Sequence, residues 1–134
     1  MNLSDYKESK KKQEKGSPCY IGDGGSCFDV KRIHTPEYYK QIEDIKINLY
    51  GFAPKEIDNN LVLATWLVEH GVTGWSGIEG DNGNLRYSKS NVRKVFLNPD
   101  YFLSLNALLI QHASDYNNYL HDEIEKDIEQ AKKN

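Results

Sequence analysis

Residues 77 to 88 read GIEGDNGNLRYS and bring Glu79, Asp81, Asn82 and Asn84 close together. Oxygen donors at such density are what a calcium loop uses. That loop needs ligands at alternate positions, glycine at the sixth and glutamate at the twelfth. Setting Gly83 at the sixth position puts Ile78 first and Lys89 twelfth, and neither can serve. Setting Glu79 first puts Asn84 where the glycine belongs and Ser90 last. A phosphate loop needs a Gly-rich turn leading straight into Lys-Ser/Thr at a helix start, after a strand. GDNGNLRYSKS has these parts in the wrong order and spacing, and GDGGS near the start is too short for a dinucleotide fingerprint. Asp81-Asn82-Gly83-Asn84 fits a tight β-turn instead.

Nucleophilic catalysis needs Ser or Cys beside His and a carboxylate. The four histidines are His34, His70, His112 and His121. His34 precedes a helix cap, and His70 occupies the last turn of a helix, where positive charge is favoured. His112 falls on an apolar stripe and reads as a core histidine, while His121 lies among acidic residues near the end. Cys19 and Cys27 have no histidine at zinc-ligand spacing. A disulfide between them across YIGDGGS is conceivable, but a reducing compartment favours two free thiols. No catalytic, metal-binding or cofactor-binding residue emerges, so the chain reads as a non-enzyme. Of the two tryptophans, Trp66 reads as core and Trp75 as either core or partner contact.

The elements that must carry these residues are mostly helical. At 134 residues, with 38% hydrophobic and 28% charged content, the chain has room for one domain. Its net charge of −3 speaks against a general nucleic-acid binder. No stretch reaches the roughly 18 apolar residues of a membrane span, and the N-terminus lacks the apolar core of a signal peptide. Residues 1–17, with the run KESKKKQEK, are expected to form a flexible arm. Asp23-Gly24-Gly25 between two partly alternating runs predicts a β-hairpin. Thr35-Pro36-Glu37 starts a helix with an apolar stripe of Tyr38, Ile42, Ile45 and Leu49. A second helix runs from near Pro54 to Gly71, and Ser88 caps a short third. Asn98-Pro99-Asp100 opens a long last helix whose stripe, Phe102, Leu105, Leu109, His112, Tyr116, Leu120, Ile124 and Ile128, continues almost to the end. The expected fold is mainly α: a single helical domain over residues 18–134 with a short N-terminal β-hairpin and an extended C-terminal helix.

From about residue 114 the apolar stripe narrows between Asp, Asn, Glu and Lys, which is the form of a helix seeking a partner. Tyr116, Leu120, Ile124 and Ile128, with Trp75 and Ile78 in the loop, are therefore the candidate partner-binding residues. Removing residues 118–134 is expected to leave a folded domain with impaired assembly.

The stretch GVTGWSGIEGDNGNLRYSKSNVRKVFLNPDYFLSLNALL resembles the tail assembly chaperones of long-tailed bacteriophages. The resemblance is carried by Trp75, Gly77, Ile78, Asp81, Gly83, Leu85, Tyr87 and Ser88, and extends over about residues 28 to 112. It implies a non-catalytic protein of the infected host's cytoplasm that needs no cofactor. Its partners would be the tape measure protein, which such chaperones keep soluble, and the tail tube protein, with a second copy of the chain as a further possibility. Nucleic acid and membrane are not among the implied partners. The alternative is a structural virion protein such as a head–tail connector or tail completion factor.

Overall fold

The computed structural model describes residues 1–134 except Asp23, Pro54 and Asn134, and all their side chains except those of Glu123, Glu129 and Lys133. The first residue of the expected Asp-Gly-Gly turn and the expected helix start at Pro54 thus lie outside the described residues.

The chain opens with a 3₁₀ turn, Leu3–Tyr6, and a short helix α1, Lys10–Lys15. Residues 1–17, expected as a flexible arm, carry two short helical elements and a bridge to Leu120, although most of their side chains are exposed. What orders so polar a segment is hydrogen bonding. Ser9 N–H donates to Tyr119 O at 2.9 Å and His121 N–H to Lys7 O at 2.7 Å, around a bridge between Glu8 and Leu120. Ser9, fully buried, caps α1 by accepting from Lys12 N–H at 3.1 Å. Gly16 closes α1 with φ +90°, and a Cβ there would stand 2.8 Å from Val30 N.

Strands β1, Ser17–Ile21, and β2, Ser26–Val30, pair antiparallel with Cys19 opposite Phe28. Then follow α2, Pro36–Tyr50, capped by Thr35, and α3, Asn59–Trp66, capped by Asp58 and continued by a π-helical turn, Leu67–Gly71. Residues 72–76, read as part of a Gly-rich loop, form a third strand, β3 (Val72–Ser76), which makes β2 the centre of the sheet. Val72, Thr73 and Trp75 are residues that fit a pleated surface, and Trp75 lies opposite Phe28.

A two-residue turn at Asp81-Asn82 joins β4, Glu79–Gly80, to β5, Gly83–Asn84. The helix α4, Lys89–Phe96, is capped by Ser88. A 3₁₀ turn, Pro99–Tyr101, and a π-helical segment, Phe102–Asn106, lead into α5, Ala107–Ser114. The expected long last helix stops there. Asp115 takes an extended conformation and caps a 3₁₀ turn, Tyr116–Tyr119, by accepting from Asn117 N–H at 3.0 Å. A separate α6 spans Glu123–Lys133. Asp and Asn side chains compete with the helical backbone for such bonds, and the apolar rhythm does not override them.

The described residues thus form six α-helices, a three-stranded antiparallel sheet and a two-stranded one. This mixed α/β architecture corrects the mainly α expectation of one hairpin with a long C-terminal helix. Phe28 and Val30 of β2 and Val72 of β3 meet Tyr38, Ile42 and Ile45 of α2, Trp66 of α3, Val92 and Phe96 of α4, and Leu109 of α5 in one core. Burying each large side chain stabilises the fold by about 1.5–3 kcal/mol. Leu49, placed on the expected stripe of α2, is exposed, and Val62 and Leu67 are buried in the next helical stretch.

Candidate functional site

Two of the candidate contact residues belong to the fold. Trp75 packs edge-on against Phe28 and Tyr87, with ring centroids 5.7 and 5.3 Å away, and its indole N–H donates to Leu85 O at 2.8 Å. Ile78 is half-buried against the core, and its carbonyl accepts from Leu85 N–H at 2.8 Å. Tyr87 donates to Val72 O at 3.2 Å. The 77–88 loop is therefore pinned onto β3 by Trp75 of that strand and by its own Tyr87.

The C-terminal four fall on different elements, with Tyr116 on the 3₁₀ turn, Leu120 just after it, and Ile124 and Ile128 together on α6. Tyr116 is exposed on the 3₁₀ turn, and Leu120 is half-buried in the bridge to Glu8. The residue that the turn buries is Tyr119, fully enclosed and donating to Val30 O at 2.7 Å; burial pushes its hydroxyl pKa up. A rhythm anchored on Tyr116 and Leu120 passes it over.

Ile124 and Ile128 share one face of α6 and are 71% and 53% exposed. They form one wall of a groove of about 690 Å³ whose other side is α1 and the start of β1, with Lys11, Lys15, Gly16 and Pro18. Lys12, Asp29, His121, Asp122, Glu125 and Lys132 complete its lining. The two helices are fastened by charge. Lys12 Nζ donates to Leu120 O at 2.9 Å and lies 3.1 Å from Asp122 and 3.6 Å from Glu125. Ser9 Oγ donates to Glu125 at 2.6 Å, and Lys126 lies 3.7 Å from Asp5. Asp122 accepts from Glu125 N–H at 2.8 Å, and this bond, aided by Lys12, lowers its pKa. The lysine side of the groove was missed because 1–17 read as an arm. Ser9 three residues before Lys12 was the available signal, a cap at a helix start.

The remaining groups that could do chemistry lie elsewhere in the fold. Cys19 shares a sheet face with its partner Phe28, so Cys27, next to Phe28, points to the other face. Both thiols are free and buried, and burial raises both pKa values. His112 lies 3.2 Å from Ser17 Oγ and edge-on to Tyr119, and burial lowers its pKa. His34 is bonded to the Tyr39 hydroxyl at 2.8 Å. Among the described residues no three His, Cys, Asp or Glu side chains converge to hold a metal ion, and no helix is long and apolar enough to cross a membrane. The arrangement offers an apolar strip among lysines and carboxylates, suited to holding another surface. Comparison with known protein families, curated proteins and solved structures finds no match.

Proposed function

We propose that this chain is a non-catalytic tail assembly chaperone of a long-tailed bacteriophage. It binds the tape measure protein in the cytoplasm of the infected host while tail tube subunits assemble. The observation that carries the reading is the groove between α1 and α6, where Ile124 and Ile128 stand exposed among lysines and carboxylates. A helix laid in a groove is recognised through apolar anchors spaced three or four residues apart, and this wall offers two isoleucines at that spacing. The pattern from Trp75 to Ser88 supports the reading from the side of the sequence. In this fold Trp75 and Ile78 hold the loop in place, which leaves the client contacts to Ile124 and Ile128, with Tyr116 and Leu120 at the margin.

Co-expression of the chain with the tape measure protein of the same phage tests this. The tape measure protein should stay soluble and co-purify, and Ile124→Asp with Ile128→Asp should abolish both effects. Absence of a complex with the unaltered chain would overturn the reading. Mass spectrometry of purified particles adds a second test, because a chaperone leaves the finished tail. A stoichiometric signal there would favour a structural virion component.

A further inference from the structure

We infer that the two ends of the chain form one flap, closed on the sheet by the Tyr119 side chain, and that the flap opens as a unit when His112 takes up a proton. The flap is built into the fold and does not depend on what the groove holds.

Residues 3–15 and 116–133 are bound to each other along their length. Ser9 and His121 donate backbone bonds to Tyr119 and Lys7 around the Glu8–Leu120 bridge, and Lys12 and Ser9 hold Asp122 and Glu125. The joined ends are fastened to the rest of the molecule mainly around one side chain. Tyr119 donates to Val30 O at 2.7 Å and sets its ring edge-on to His112, with centroids 6.1 Å apart. Asn118 donates to His112 O at 2.9 Å, and Arg32 pairs with Glu8. Each end joins the body at a break in helical structure: Gly16, with φ +90°, follows α1, and Asp115, extended, follows α5. These two breaks are the pivots, and the Thr73 hydroxyl holds Lys15 O beside the first. Segments tied to each other in this way open together, as a local cooperative unit.

The closed flap covers His112. Its Nε2 lies 3.2 Å from Ser17 Oγ on β1. On the flap side it faces the Tyr119 ring and Asp115, and Arg32, from the segment after β2, acts on Tyr119. Burial lowers the His112 pKa against the opposing pull of Asp115 and Ser17. Opening takes Tyr119 away and wets the imidazole, which returns it to its ordinary range. Protonation therefore favours the open form. Closure is strongest above about pH 6.5 and weakens as pH falls through the lower, closed-state value. Opening also uncovers Cys19. Its thiol is buried on the face of β1 that carries Ser17, near enough to the Tyr119 hydroxyl to raise that group's pKa. Cys27 points to the opposite face.

Thiol labelling of the whole chain tests the inference, with Cys27→Ser leaving Cys19 as the one thiol. A pyridyl disulfide, which takes thiols in acid as well as at neutral pH, is the probe. Rates are read relative to the same chain unfolded in urea at each pH. Labelling should be slow at about pH 7.5 and several-fold faster at about pH 5, with the circular dichroism spectrum unchanged. The rate should respond to urea much less steeply than the global melt does. His112→Gln should abolish the rise in acid. Tyr119→Phe should speed labelling at both pH values, and Glu8→Ala, on the other half of the flap, should do the same. A rate indifferent to pH, a rise that survives His112→Gln, a urea slope equal to that of global unfolding, or labelling indifferent to Glu8→Ala would overturn the inference.

Discussion

Gly71 ends the helical stretch begun by α3, and from the sequence it reads as a helix stop, a place where glycine commonly turns left-handed. Its φ is not positive. It is glycine because the Trp66 ring lies over it: a Cβ would stand 2.6 Å from Cζ3 and 2.9 Å from Cε3. Trp66 cannot give way, being 1% exposed and donating its indole N–H to Gln41 at 2.9 Å. Gly71→Ala should therefore cost about 1–3 kcal/mol, as overpacking does, read as a lowered urea midpoint with an unchanged slope. The position was legible in the sequence, but the reason was not, because a ring five residues earlier is invisible to turn chemistry. Trp75 is the companion case. Half-buried between Phe28 and Tyr87, it should cost about 2–3 kcal/mol as Trp75→Ala, somewhat less than a fully enclosed aromatic. A thermal melt that leaves this variant as stable as the parent would return Trp75 to the candidate contacts.

At the scale of elements, caps and the local β1–β2 hairpin were readable and the distant strand partner was not. Thr35, Ser88 and Asn98 each accept from a backbone N–H at the helix starts they were expected to mark, since a cap is settled within three or four residues. The pairing of β3 with β2 joins residues more than forty positions apart, and nothing local in VTGWS declares it. The break at Asp115 was in principle local, yet the apolar rhythm through Tyr116 and Leu120 masked it. That error changes the truncation forecast. Removing residues 118–134 deletes Tyr119, whose hydroxyl reaches Val30 O and whose ring meets His112, so the loss should be at least about 3 kcal/mol. Removing only residues 127–134 keeps Tyr119, Asp122 and Glu125 and should leave the melting temperature of the core nearly unchanged. Circular dichroism melts of the two truncations separate these outcomes, and equal melting temperatures would remove Tyr119 from the core.

Across the whole molecule, the ends of the chain are joined mainly by charge and hydrogen bonds, while its centre is held by apolar packing. The two should respond differently to acid. Burial lowers the His112 pKa from its ordinary 6.5, so the unfolded chain takes up a proton first. The stability this group contributes is full above about pH 6.5 and is lost as pH falls through its lower folded value. Asp122 is lowered from 3.8 by the bond from Glu125 N–H and by Lys12. Its contribution is therefore full above the ordinary carboxylate range and lost only as pH falls below it. The thiols of Cys19 and Cys27 act in the opposite sense: raised above 9.0, they favour folding at neutral pH and lose that contribution as pH rises toward their folded values. Urea melts should thus show highest stability near neutrality, a first decline below about pH 6.5 and a second below about pH 4. His112→Gln should flatten the first decline and leave the second. In the second, α6 should come away from α1 before the core opens, seen as a loss of helical signal at 222 nm while tryptophan fluorescence from Trp66 and Trp75 holds. Simultaneous loss of both signals would mean that the clasp between the termini and the core unfold as one unit.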